Sequence, residues 1–320
     1  MVKLNTKAIS LNTIDLKDKT FLLSYGYDLN PLKQSIKQVG LLNPPVVRKK
    51  SEGTYQIICG YKRVRVLKEL GISSFPCSFV PAKTGSKESL LLSLYDNSSH
   101  REFNLVEKSM AVNGLQNYYS EEEIVNSFLP VLKLHPHHTQ LRTIVPLYRL
   151  EREAKNGLIK GMISEQTALA LSQMDRESRR ALCAFLISLR LSVSGQAEIL
   201  ENVSEIAIRE NQTVKRILYT PEITSFLENE KLNQPQKGEA IRNCLRGRRY
   251  PQLTKKEKEF KGNLKQLKLH PRIHLKPPPF FEGAHYHLSF QFKDSGEFKK
   301  RLQELESLLN NPALLNTIEG

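Results

Sequence analysis

The sequence predicts an α+β protein: a small mixed unit first, an all-helical middle, and a basic stretch ending in a strand and a helix. Three observations carry this. Residues 1–95 alternate short β-like runs with helices that stop at glycine. Residues 100–230 repeat apolar side chains at three- and four-residue spacing. Beyond about residue 235 the charge turns basic, and an alternating apolar run follows. A chain of 320 residues exceeds one comfortable core. The composition shifts place domains at 1–100, 101–232 and 233–320.

In the first zone, "PPVVRKK", "TYQIICG" and "FPCSFVPA" read as strands. "NPLKQSIKQVG" and "KRVRVLKELG" read as helices ending at Gly40 and Gly71, since glycine accepts the left-handed conformation past a last turn. In the second zone, Asn104 with Glu107 and Ser120 with Glu123 have capping-box spacing. Further helices are expected from Ser164, Asp175, Ser194 and Thr220-Pro221. In the third, Thr254 with Glu257 suggests one more capping box. "HYHLSFQF" places Tyr286, Leu288, Phe290 and Phe292 on one side of a strand, and "SGEFKKRLQELESLL" is an amphipathic helix. One helix over a short hairpin is a marginal core, so a second copy is expected to cover it and make a homodimer. Packing on the central zone is the alternative.

Lys and Arg outnumber Asp and Glu by 48 to 33, a formal charge of +15 that favours a polyanionic partner, nucleic acid before membrane. Four scattered cysteines without a CxxC pair exclude a zinc knuckle and a disulfide framework. No signal core or 18-residue apolar span is visible, so a cytoplasmic, nucleoid-associated location and no membrane partner are expected.

"ICGYKRVRVLKELG" is the segment richest in chemistry. Lys62, Arg63 and Arg65 crowd the first turns of a helix, where cations oppose the positive dipole end. A bound anion would make them tolerable, because first-turn amides with a Lys-Arg pair form a phosphate site. The plainer alternative is a structural Arg63 and a solvated Lys62. Cys59, inside the strand, should be a buried, inert thiol.

From residue 120 to 174 the order helix, turn, helix and supporting helices suggests a helix-turn-helix, with a plain bundle as the alternative. Its recognition helix, His138–Glu151, would offer Thr139, Gln140, Arg142, Thr143 and Arg149 to a DNA groove. Pro146 must kink or end that helix. "HPHHT" reads as a polar turn rather than a metal site. Lys237 to Lys276 holds 13 Lys or Arg against 3 Asp or Glu. Within it Arg246, Arg248, Arg249, Lys255 and Lys256 are candidates for backbone phosphates. A solvated helix face is the alternative.

The ordered set of a helix, Gly40-Leu-Leu-x-Pro-Pro, a strand hairpin, Gly60-Tyr61-Lys62-Arg63, and "LLLSLYDNSSHREFNLVEKSMAV" resembles the ParB partition family. The resemblance is clear over residues 20–120 and reaches to about 200, where Gly161–Ala168 is similar to a further family motif. It implies an N-terminal domain of the ParB/sulfiredoxin fold, a central helix-turn-helix domain and a terminal dimerisation unit. It further implies CTP and Mg²⁺ as cofactors, double-stranded DNA and a second copy as partners, and room for a partition ATPase. By position, Gly40, Leu41, Gly60, Tyr61, Lys62, Arg63 and Arg101 would line the nucleotide, and Asp96 and Asn97 the metal. Tyr61 stands where the family has Glu, and Asp96–Arg101 is one residue longer than the family motif. The expectation is therefore a DNA-binding partition protein with a CTP-dependent clamp. Weak CTPase activity stays open, without an assigned catalytic residue. The alternatives are a nuclease or phosphotransferase on this fold, or a transcriptional regulator without nucleotide.

Overall fold

A computed structural model describes residues 4–51 and 53–318. The chain forms two compact units, residues 1–197 and 198–320. The expected boundaries near 100 and 232 fall inside the first and second unit respectively.

The first unit opens with a four-stranded sheet: β1 (Asn5–Ser10), β2 (Val46–Ser51), β3 (Thr54–Cys59) and β4 (Ser74–Phe79), in the order β1-β4-β2-β3. β2 and β3 pair antiparallel, as do β1 and β4, while β2 runs parallel to β4 only through Val46 and Val47. Pro76 lies beyond that parallel ladder, so its missing N–H costs no bond there. Sequence reading misses β1 because only Ile9 of its six residues is buried, which leaves no alternation to detect. β3 differs: Gln56 to Cys59 are all buried, as expected of a strand covered on both faces.

Helix α1 (Asn30–Val39) starts on Pro31, and α2 (Tyr61–Glu69) starts on Gly60. Val64, Val66 and Leu67 of α2 pack into one core with Val47, Ile57, Phe75 and Cys77. Both helices stop as expected, with φ of +77° at Gly40 and +71° at Gly71. α3 (Ser86–His100) and α4 (Leu105–Leu115) follow, α3 lying against β3.

The rest of the unit is helical: α5 (Glu121–Glu123), running into a π turn at Ile124–Phe128, then α6 (His138–Ile144), α7 (Arg152–Ile159), α8 (Glu165–Ser172) and α9 (Arg176–Leu189). Both expected capping boxes form, Asn104 with Glu107 and Ser120 with Glu123. The expected helix from His138 to Glu151 is shorter. It ends at Ile144 and tightens into a 3-10 turn over Val145–Arg149, because Pro146 lacks the N–H a continuing helix needs.

The second unit takes over within α10 (Val193–Glu210) and continues through α11 (Val214–Leu218), α12 (Pro221–Glu228), α13 (Gln234–Arg249) and α14 (Pro251–Leu267). The expected capping box at Thr254 does not form. α14 begins three residues earlier on Pro251, the Thr254 amide bonds to Tyr250, and Glu257 pairs with Arg246. A two-stranded hairpin follows, β5 (Ile273–Lys276) with β6 (His287–Phe290), then α15 (Ser295–Glu306) and α16 (Pro312–Ile318), which packs on α14. The expected strand Tyr286–Phe292 shortens to β6, and its apolar face is not buried: Leu288 is 45% and Phe292 51% exposed. Among the described residues no helix is long and apolar enough to cross a membrane.

Candidate functional site: a cleft at the start of helix α2

Gly60 decides the geometry. Its φ of +90° turns the chain from β3 into α2, and a Cβ there would meet the Pro45 backbone at 3.0 Å. That tight turn puts Lys62 and Arg63 on the rim of a cleft of about 440 Å³. Its apolar wall includes Phe21, Leu23, Leu32, Val46 and Ile58, and Ser78 and Asn43 add polar points. A wall of this kind facing two cations suits a ligand with a flat apolar body and an anionic end.

Each cation is poised differently. The Arg63 guanidinium donates to the Asn43 carbonyl at 2.7 Å and the Pro44 carbonyl at 3.2 Å, and lies 3.7 Å from an Asp96 carboxylate oxygen. Lys62 sits over the Tyr27 ring, 4.3 Å from its centroid. Burial, then the neighbouring Arg101, lowers the Lys62 pKa. Its ammonium is therefore under-compensated, and an arriving anion would favour the charged form.

Arg101 is already committed. It donates to the buried Glu107 carboxylate at 2.6 Å, to the Leu23 carbonyl at 2.9 Å, and to Ser24 and Asn97. Glu107 in turn accepts from the Tyr25 and Asn104 amides, so one buried carboxylate ties residues 23–25 to the start of α4. Arg101 thus shapes the cleft wall and faces it. Tyr61 also touches the cleft, but its hydroxyl donates to the Ile57 and Asp18 carbonyls. Burial, then nearby Asp18, raises its pKa, so the phenol stays neutral. Gly40 and Leu41 do not line the cleft; Leu41 packs against the sheet core instead.

The metal expectation narrows. Asp96 is the one carboxylate among the described residues lining the cleft, and it faces Arg63. The Asn97 amide oxygen accepts from Arg101. Among the described residues no three His, Cys, Asp or Glu converge to hold an ion. This donor set fits only a metal carried in by a ligand's own phosphates, as Mg²⁺ commonly is. Cys59, beside the turn, is pushed up to about 12 by burial and then by Asp96, consistent with an inert thiol.

Sequence reasoning missed the apolar wall, Tyr27 under Lys62, and the Glu107 anchor of Arg101. Glu107 was visible as a cap, but its partner six residues upstream lies outside any helical spacing.

The nucleic-acid candidates divide similarly. Thr139, Arg142 and Arg149 are exposed on α6 and the following turn, Gln140 and Thr143 half-buried. The Thr143 hydroxyl donates to the Thr139 carbonyl. In the second unit, Arg246 forms a two-pronged pair with Glu257. Arg248 does the same with Glu210. Arg249 reaches Glu205, Glu201 and Asn202. Those three arginines brace the helices. Lys255 and Lys256 are exposed on α14, Lys255 only loosely paired with Glu259 at 3.9 Å.

A four-stranded sheet with a glycine turn sets two cations over an apolar-walled cleft. Residues 7–98 match the family model described as the ParB N-terminal domain. The chain is 27% identical over 208 residues to the probable chromosome-partitioning protein ParB of Borreliella burgdorferi, a match covering 64% of this chain and 77% of that one. It is 26% identical to the Vibrio cholerae protein of the same description, covering 64% and 65%. It is 28% identical to the nucleoid occlusion protein of Lysinibacillus sphaericus, covering 45% and 46%. The match thus spans less than two thirds of the latter two relatives. Among solved structures, the C-terminally truncated ParB of Caulobacter crescentus complexed with CTP-gamma-S has a TM-score of 0.28 at 19% identity, covering 57% of this chain and 99% of that one. The same protein complexed to the centromeric parS site has a TM-score of 0.34 at 18% identity, covering 61% and 98%.

Proposed function

We propose that the chain is a ParB-type DNA-binding partition protein whose N-terminal cleft binds a nucleoside triphosphate, CTP with Mg²⁺. The observation that carries the nucleotide half is the Gly60 turn, which sets Lys62 and Arg63 at the start of α2 opposite an apolar wall. The triphosphate would lie on the two cations and the base against Phe21, Leu23 and Ile58. Mg²⁺ would come with the phosphates and take Asp96 as its one protein carboxylate. The family-model match over residues 7–98 and the names of the relatives support partition as the role.

Duplex DNA would meet the exposed Arg142 and Arg149 of the α6 region and the lysines of α14. The exposed apolar residues of the hairpin and α15 support a homodimer.

Isothermal titration of the full chain with CTP and Mg²⁺ tests the nucleotide half. The wild type is expected to bind, and Arg63→Ala to lose roughly tenfold or more, since a charge-assisted bond contributes about 1.5–3 kcal/mol. No heat from any nucleoside triphosphate would remove the nucleotide from this reading. A gel-shift salt series on duplex DNA tests the other half, with log affinity expected to fall about 0.9 per log of salt for each phosphate contacted. Salt-insensitive or absent binding would remove DNA.

A further inference from the structure

Between the two strands of the hairpin, "PPPFFEG" forms an unusual presentation. Phe280 and Phe281 both hold left-handed backbone angles, φ of +56° and +57°. That conformation is unfavourable for an L-residue, and Phe has no polar side chain to compensate it locally. Phe281 uses its position: its ring packs edge-on against the buried Phe260, centroids 5.7 Å apart. Phe280 does the opposite. It is 71% exposed, more than any other aromatic side chain among the described residues. A strained backbone that pushes an apolar ring into solvent opposes folding twice, so stability does not explain it.

What surrounds the ring does. Phe280 borders a cleft of about 490 Å³ with Tyr250, Lys256, Glu282 and the edges of Arg246 and Arg249. The two arginines are held by carboxylates. Lys256 is exposed and has no carboxylate partner among the described residues. Along the same helix Lys258, Lys261 and Lys265 are also exposed, but they lie outside the lining of this cleft. Aromatic faces inside a cationic groove are the means by which proteins hold single-stranded nucleic acid, rings stacking on bases and cations on phosphates. Pro277, Pro278 and Pro279 fix the approach to the ring, which reduces the ordering cost on binding.

We infer that this cleft binds single-stranded DNA, stacking an unpaired base on the Phe280 ring with Lys256 at the adjacent phosphate. The inference rests on the reading that the chain binds DNA. A paired base has both faces covered by its neighbours, so a ring standing proud suits an unpaired one. A second copy of this chain is a poor occupant, because it would bring like charge against this groove.

The chain contains no tryptophan, so Phe280→Trp makes a single emission reporter that keeps the aromatic face. At fixed salt, the full-length Phe280→Trp protein should bind a single-stranded oligonucleotide as the wild type does, with its emission quenched by stacking. Phe280→Ala should lose roughly tenfold in affinity for that oligonucleotide and under twofold for duplex, with an unchanged salt slope. Unquenched emission, unchanged single-strand affinity, or equal loss on both DNA forms would overturn the inference. So would a change in sedimentation of Phe280→Ala, which would make the ring a contact between copies. A wild type that binds duplex but no single strand would also overturn it while leaving the DNA reading intact. Failure on both would remove that reading too.

Discussion

At the scale of single residues, two glycines with the same backbone sign should respond differently. Gly60 has φ of +90° and no room for a Cβ beside Pro45, whereas Gly40 has φ of +77° and open space around it. Gly40→Ala should cost about 1 kcal/mol from its backbone conformation alone. Gly60→Ala adds a backbone clash and should cost about 2–3 kcal/mol, read from urea midpoints. The strain at Phe280 gives the opposite sign: Phe280→Gly should raise stability by up to about 1 kcal/mol while lowering single-strand affinity roughly tenfold. Asp18 supplies a pH test. Burial pushes its carboxyl up, but hydrogen bonds from Thr20 and Lys50 outweigh this and hold it far below the usual range. Because the folded pKa lies below the unfolded one, near 3.9, this stabilisation is present above about pH 4 and is lost below it. Asp18→Asn should flatten the acid limb of stability between about pH 4 and 2, and an unchanged limb would discount the Thr20 and Lys50 bonds.

At the scale of elements, α13 and α14 separate bracing charge from charge left for a partner. Arg249 closes on Glu201, Glu205 and Asn202 of α10, with its side chain 10% exposed. Glu201 and Glu205 stay largely solvated, so Arg249→Ala should cost about 1–2 kcal/mol of stability and leave the salt slope of DNA binding unchanged. Lys256→Ala should do the reverse, lowering the slope by about one unit with stability inside about 0.5 kcal/mol. Thermal melts and a salt series on the two variants would separate the roles. Equal salt slopes for Lys256→Ala and wild type would take α14 out of the interface.

At the scale of the whole molecule, the end of the chain leaves an apolar face open. Phe290, Phe292 and Phe298 pack on one another, with centroids 4.9–5.9 Å apart. Phe292, at 51% exposed, and Leu302, at 40%, continue the face outward. A two-fold contact would let this patch cover itself. Sedimentation should report a dimer for the wild type and a monomer for Phe292→Glu with Phe298→Glu, which lie at the surface and should still fold. A wild-type monomer at micromolar concentration would refute the assembly.

The sequence by itself determined the α+β class, the helix stops at Gly40 and Gly71, both capping boxes of the helical zone, and the glycine turn that opens α2. Those depend on neighbours within four residues, where spacing and backbone preference act directly. The end of α6 was legible for the same reason, through Pro146. Tertiary structure alone decided which charges are spent. Arg249 pairs with carboxylates more than 40 residues away, and Arg101 with Glu107 across a loop. It also decided that β1 joins the sheet, that the aromatic face of the hairpin stays exposed, and that Phe280 stands out of a left-handed turn. Pairing and exposure depend on where distant elements come to rest, and local spacing carries no record of that.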